Sequence, residues 1–169
     1  MSARIRLLTA VAVACLALGA VRSARAQARF GPELSWGSNS IGVGIGARLE
    51  LGLVKMIPGA KNFDAVGTFD YFFPSSGYGV SPSYWELGLG GDYHFTIPGA
   101  TIDPFAGAGL AIAHSSVTVL GLSGSATNVG LNLFGGTMFK PLGRVTPFVQ
   151  LRLELQSSSA FFLTGGVLF

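Results

Sequence analysis

Residues 41–53 read Ile-Gly-Val-Gly-Ile-Gly-Ala-Arg-Leu-Glu-Leu-Gly-Leu. The odd positions, Ile41, Val43, Ile45, Ala47, Leu49, Leu51 and Leu53, are apolar; the even ones are Gly42, Gly44, Gly46, Arg48, Glu50 and Gly52. A helix of about 3.6 residues per turn would scatter those apolar side chains around its circumference. A strand points successive side chains to opposite faces and so gathers them on one. The stretch is therefore a strand with one apolar and one polar face, and its glycines are strand glycines. They do not precede a helix, which excludes a nucleotide-binding reading of the Gly-x-Gly repeats.

Working outward, the same alternation predicts eight strands, at 28–36, 41–53, 63–73, 83–95, 102–114, 126–139, 145–155 and 159–169. Each has about the nine to eleven residues, or slightly more, that a tilted membrane strand needs. Turn-forming segments separate them: Gly37-Ser38-Asn39-Ser40, Pro74-Ser75-Ser76-Gly77, Ser123-Gly124-Ser125 and Gln156-Ser157-Ser158. The intervening connections include Ile57-Pro58-Gly59-Ala60, Ile97-Pro98-Gly99-Ala100 and Lys140-Pro141-Leu142-Gly143-Arg144. These alternate with the first set, so they belong at the other end of the sheet. Around the last two, Gly90-Gly91 and Pro104-Phe105 match Gly135-Gly136 and Pro147-Phe148, an internal hairpin repeat. An even strand count lets an up-and-down sheet close with both termini on one side. Pro32, Pro104 and Pro147 fall near the start of strands leaving that side, where a missing ladder donor is best tolerated.

Ahead of the first strand, Arg4 and Arg6 precede an uncharged apolar run from Leu7 to Val21 and the small-x-small sequence Ala24-Arg25-Ala26. This pattern predicts a cleavable secretory signal over 1–26 and one mature domain over 27–169. Cleavage removes Arg4, Arg6, Arg22 and Arg25, leaving seven of the 11 basic residues against eight acidic ones, a net charge of −1. The isoelectric point near 9.4 thus belongs to the precursor, and no nucleic-acid partner is expected. The single cysteine, Cys15, leaves with the signal, so no disulfide or thiol chemistry is expected of the mature chain.

Period-two strands also build soluble barrels, whose apolar side chains face inward. Here the apolar parity is framed by aromatics at both ends: Trp36, Tyr71, Phe73, Trp85 and Phe161 at one, and Phe30, Tyr93, Phe95, Phe139 and Phe169 at the other. Two aromatic girdles around an aliphatic band suit the two interfaces of a bilayer, and a ligand-filled interior has no use for them. The fold expected is an all-β, eight-stranded antiparallel up-and-down transmembrane β-barrel. The opposite parity carries Glu33, Arg48, Glu50, Asp70, Glu86, Asp92, His94, Asn128, Asn132, Gln150, Arg152 and Glu154 among many glycines. A lumen of eight strands is only wide enough to be filled by side chains. Arg48 and Arg152 are thus expected to pair with Glu33, Glu50, Glu86 and Glu154, with glycines leaving room for long partners across the axis.

The alternating strands, Gly-Leu-Gly-Gly-Asp-Tyr-His-Phe at 88–95, Pro-Phe-Ala-Gly-Ala-Gly-Leu at 104–110 and the closing Gly165-Gly166-Val167-Leu168-Phe169 resemble the small outer-membrane β-barrel family that includes the membrane domain of outer-membrane protein A. The resemblance spans the mature chain. It implies localisation in the bacterial outer membrane, contact with its lipids and lipopolysaccharide, and handling by periplasmic chaperones and the barrel assembly machinery. In that family the assembly signal is a C-terminal aromatic preceded by alternating apolar residues; Leu163, Val167 and Phe169 match it, and Gly165 departs from it.

One enzyme-like constellation occurs. His114 and Ser116 resemble the His-x-Ser of lipid A deacylases, in which the serine would attack an acyl ester and the histidine act as base. The acid is missing, because Asn128 stands where that family places a glutamate and no Asp or Glu lies between His114 and Glu154. His94 and His114 sit on different strands without a cluster of carboxylates or thiols nearby in sequence, so no metal ligand set and no cofactor are expected. The reading favoured is a non-catalytic structural or binding barrel with, at most, a very narrow porin-like path; the alternative is a deacylase-like ester hydrolase. Short loops at 37–40, 74–82, 115–125 and 156–158 leave 115–125, with Val117, Val119, Leu120 and Leu122, as the expected contact surface.

Overall fold

A computed structural model describes residues 28–169 apart from 56, 58, 76–79, 120–121 and 157–158. The predicted signal segment lies outside the described residues. Eight strands are present: β1 (Ala28–Gly37), β2 (Gly42–Gly52), β3 (Phe63–Phe73), β4 (Val80–His94), β5 (Ile102–Val119), β6 (Leu122–Phe139), β7 (Thr146–Leu155) and β8 (Ala160–Leu168). Each pairs antiparallel with its neighbour in the chain, and β8 pairs with β1 to close the barrel. The strand count, order and closure are those expected from the alternation.

The turns follow from their residues. Ile41 N donates to Ser38 O at 3.1 Å across Asn39 and Ser40, both at positive φ (55° and 65°), the geometry of a type I′ hairpin turn. At the other end Ala100 N donates to Ile97 O at 3.2 Å across Pro98 and Gly99, whose φ of 79° is what the third position of a type II turn requires. Ala60 N makes the same bond to Ile57 O at 3.1 Å, with Gly59 at φ 100°. Two connections depart from expectation: β4 begins at Val80, inside the segment 74–82 expected as a loop, and its first residues pair with the end of β5. Residues 115–119 and 122–125 are likewise not loop: β5 and β6 stay paired from Ser115↔Ala126 to Val119↔Leu122. Alternation continues through serines that read as turn formers, and a cross-strand hydroxyl pair, Thr118 with Ser123 at 2.9 Å, supports the ladder.

The two faces divide cleanly. Leu34 (62% exposed), Leu89 (61%), Leu110 (57%) and Leu151 (50%) point outward. Trp36, Phe73 and Phe161 circle the outside at the end carrying the short loops, and Phe30, Phe95, Phe139 and Phe169 circle it at the end carrying the C-terminus. Glu50, Asp70, Glu86 and Glu154 are fully buried inside.

Apolar rings also occupy the lumen, which the polar parity did not suggest. Phe105, Phe148, Met138 and Leu168 form one cluster; Phe72, Phe162 and Ala160 form another. Each inward phenylalanine stands opposite a glycine in the ladder: Phe105↔Gly136, Phe134↔Gly107, Phe148↔Gly166, Phe72↔Gly44 and Phe162↔Gly37. A Cβ on any of these glycines would come within 2.6–2.8 Å of the facing ring. The glycines therefore make room on the adjacent strand, and not across the axis as expected.

Leu89 lies midway between Trp85 and Tyr93 on β4. In a bilayer Leu89→Arg costs about 2–4 kcal/mol. Urea unfolding of vesicle-inserted protein measures it, and an unchanged midpoint would mean that this side chain does not meet acyl chains.

Candidate functional site

The lumen holds the chain's concentration of buried ionisable groups, arranged around two arginines. Arg48 projects from β2 and is 1% exposed. Its Nε donates to Glu50 Oε1 at 2.6 Å, Nη1 to Gln150 Oε1 at 2.6 Å and Nη2 to Asp92 Oδ2 at 3.2 Å. The guanidinium also lies over the rings of Phe148 (5.1 Å), Phe105 (5.3 Å) and Phe134 (5.9 Å). Every edge of the fork has a carboxylate or amide, and its faces have π density.

Arg152, from β7, organises the second layer nearer the short loops. Nη1 donates to Asp70 Oδ2 at 3.3 Å, and Nη2 lies 3.2 Å from Glu86 Oε1 as an ion pair without hydrogen-bond alignment. Phe162 covers its face at 4.5 Å. Asp70 also accepts from Ser35 at 3.1 Å, and Ser35 shares a 2.8 Å hydroxyl contact with Thr164. Asn132 reaches Glu86 at 3.5 Å.

The remaining residues expected in the network have looser roles. Glu33 is 4% exposed, within coulombic range of Asp70, Arg48 and Arg152, but outside the ion pairs among the described residues. Glu154 is paired with Gln156 and not with an arginine. Residues absent from the sequence reading also belong here. Arg29 Nη2 bridges Glu50 Oε2 and Asp64 Oδ2, at 2.9 Å each. Asp103 Oδ2 lies 2.9 Å from His94 Nδ1. Arg29, Asp64 and Asp103 share the inward parity of their strands, so the signal existed; their closeness to the turns hid it.

His114 and Ser116 lie on the outer face of β5 among other partners. His114 Nδ1 bonds Thr127 Oγ1 at 2.8 Å and its ring stacks on Trp85 at 5.3 Å; Ser116 Oγ bonds Ser83 Oγ at 2.8 Å. Among the described residues neither has a carboxylate partner. Beside the short loops the lumen opens into a vestibule of about 230 Å³, bordered by Tyr84, Ser115, Asn128 and Gln156. At the other end Phe169 is exposed outward and its N donates to Phe30 O at 2.9 Å, whereas Leu163, also exposed outward, lies nearer the short loops, opposite Trp36.

Outward aliphatics, paired aromatic girdles and a filled polar lumen define the class: a small eight-stranded transmembrane β-barrel. Solved barrels share this fold. The N-terminal β-barrel domain of OprF from Pseudomonas aeruginosa superposes with a TM-score of 0.65 at 15% identity, covering 83% of this chain and 96% of that one. Neisserial surface protein A gives 0.60 at 16% identity, covering 83% and 94%. Ail, the attachment invasion locus protein of Yersinia pestis, gives 0.56 at 12% identity, covering 85% and 97%. All three are small outer-membrane barrels. No protein-family model and no curated sequence matches the chain.

Arg152→Met strands Asp70 and Glu86 as buried unpaired carboxylates, which costs about 3–5 kcal/mol. Adding Asp70→Asn and Glu86→Gln to the same chain recovers most of that loss. Urea midpoints of the single and triple variants test the pairing; equal midpoints would remove it.

Proposed function

We propose that the chain is a non-catalytic outer-membrane protein whose barrel is closed to solutes and serves as a rigid platform for its loop end. The observation that carries this reading is the stacking of side chains along the lumen. A ring-and-methionine layer is followed by the Arg48 layer, the Arg152 layer and the Phe72–Phe162 layer. Between the two arginines remains a void of about 20 Å³, room for about one water. An ion crossing would have to displace both guanidiniums from their carboxylates. In planar bilayers the refolded protein adds no conductance above the lipid background; discrete openings would favour the narrow porin-like path instead.

In this reading the end carrying the C-terminus is periplasmic. Leu163, Val167 and Phe169 are the signal for the barrel assembly machinery, which periplasmic chaperones supply, and the girdles meet phospholipid and lipopolysaccharide. The contact surface is the projecting β5–β6 hairpin. β6 pairs with β7 only from Leu131↔Leu155 downward, and by that register residues 122–127 extend past the β7–β8 hairpin. They form a free strand edge, exposed throughout and bearing no charge or proline, which suits pairing with another extended segment. Ail has been solved with the heparin analogue sucrose octasulfate. That ligand class does not suit this chain, whose loop-end segments 37–41, 74–83, 115–125 and 156–159 contain no Lys or Arg.

The hydrolase alternative is disfavoured by the hydroxyl partners of His114 and Ser116 described above. Lipid A from cells expressing wild type and Ser116→Ala is expected to give identical mass spectra, whereas an acyl chain lost only with the wild type would establish the enzyme.

A further inference from the structure

At the end of the barrel opposite the short loops, four consecutive strands bring ionisable side chains to one spot. Glu50 comes from β2, Asp64 from β3, Asp92 and His94 from β4, and Asp103 from β5. His94 is held from behind by Asp103, its Nδ1 lying 2.9 Å from Oδ2. That partnership places the ring proton on Nδ1 and leaves the lone pair on Nε2. Nε2 has no hydrogen-bond partner, and the side chain that carries it is 9% exposed. It faces Asp92 Oδ1 at 3.6 Å and Asp64 Oδ2 at 3.7 Å, and Asp92 Oδ1 likewise has no partner.

These separations are too long for hydrogen bonds. They lie close to the roughly 3.3 Å between two donor atoms of one tetrahedral zinc, given bonds of about 2.0–2.1 Å. One ligand atom each of Glu50, Asp64 and His94 lies within 4.8 Å of the others. Charge points the same way. Four carboxylates, Glu50, Asp64, Asp92 and Asp103, face two guanidiniums: Arg29 on Glu50 and Asp64, and Arg48 on Glu50 and Asp92. With a neutral imidazole this leaves a formal charge of −2, which a divalent cation cancels and a single proton does not.

We propose that His94, Asp64 and Asp92, with Glu50 beside them, form a binding site for a divalent transition cation of the Zn²⁺ class, and that Asp103 orients the imidazole. A carboxylate behind a ligating histidine is the usual outer partner in such centres. The half-exposed Asp103 (46%) and Arg29 (33%) mark the side from which an ion enters. Bound there, the cation ties β3 to β4 through their side chains, adding a cross-link where the barrel opens to solvent. The inference is independent of the conductance and enzyme readings above.

Titration of untagged, detergent-refolded protein with ZnCl₂ alone, followed by calorimetry and by ¹⁵N spectra of the histidine side chains, tests the site. One ion per barrel is expected, with the resonance of His94 Nε2, and not Nδ1, moving on binding. His94→Gln is expected to weaken binding at least 100-fold, Asp103→Asn about 10- to 100-fold, and His114→Gln not at all. A difference in gel mobility between unheated and heated samples reports the fold of each variant. Should His94→Gln fail it, the half-exposed Asp103 and the wild-type ¹⁵N shift still decide the matter. Absence of saturable binding to the folded wild type, affinity unchanged in both variants, or a shift confined to His114 would overturn the proposal.

Discussion

Everything in this fold depends on the seam between β1 and β8. Acyl chains offer no hydrogen bonds, so a sheet placed among them must pair every backbone amide internally, and a sheet does so only by closing. The seam is short, running from Glu33↔Gly166 to Gly37↔Phe162. Below it a Cβ at Gly31 would collide with the carbonyl of Val167, so glycine alone lets the strands approach there. The Phe169 amide then reaches Phe30 O and extends the seam to the last residue. Closure fixes the lumen's width, and the width dictates what fills it.

Two costs had to be met inside that width. A glycine in a strand loses about 0.5–1 kcal/mol relative to alanine, whereas burying a phenylalanine side chain recovers about 1.5–3 kcal/mol. Pairing each inward phenylalanine with a glycine on the next strand is therefore favourable and plugs the ends of the lumen. The charged middle obeys a stricter rule, since desolvation takes several kcal/mol from each ion and is repaid only by complete coordination. Arg48 meets that rule with three polar partners and three rings. Arg152 meets it less fully, as its Nε has no partner. The looser layer lies toward the vestibule, where water approaches most easily.

The alternation in 41–53 and its recurrences were sufficient to read the barrel, because a period of two in side-chain character leaves only the two faces to assign. The girdles then assigned them: Leu131 and Leu151 are half-exposed outside while Glu50 and Glu154 are buried. What parity could not supply was partnership. It put Arg48 and Glu33 on one face without saying that Gln150 and Asp92 hold the arginine, because those contacts depend on stagger between strands distant in sequence. The inward rings were missed for a related reason. Phe72, Phe105 and Phe148 sit beside outward-facing residues of like character, so the pattern blurs at the strand ends. Serines at 115–125 misled in the opposite direction, as turn-forming composition concealed a continuing ladder.

The two rims differ in charge. Beyond residue 26, the basic residues outside the eight strands are Lys55, Lys61, Lys140 and Arg144, all in connections at the end carrying the C-terminus. The loop-end tips carry no charged residue at all. During insertion one set of tips has to cross the hydrocarbon layer, and each lysine or arginine carried through costs about 2.5–3.5 kcal/mol on insertion scales. The uncharged hairpins are thus the cheap ones to push across, and the cationic turns stay on the side of entry. Once there, each gains about 1 kcal/mol near an anionic headgroup surface. The same asymmetry that lowers the barrier to insertion also resists pulling the cationic turns back through the hydrocarbon layer. Asp64, Asp92 and His94 lie just inside that cationic rim.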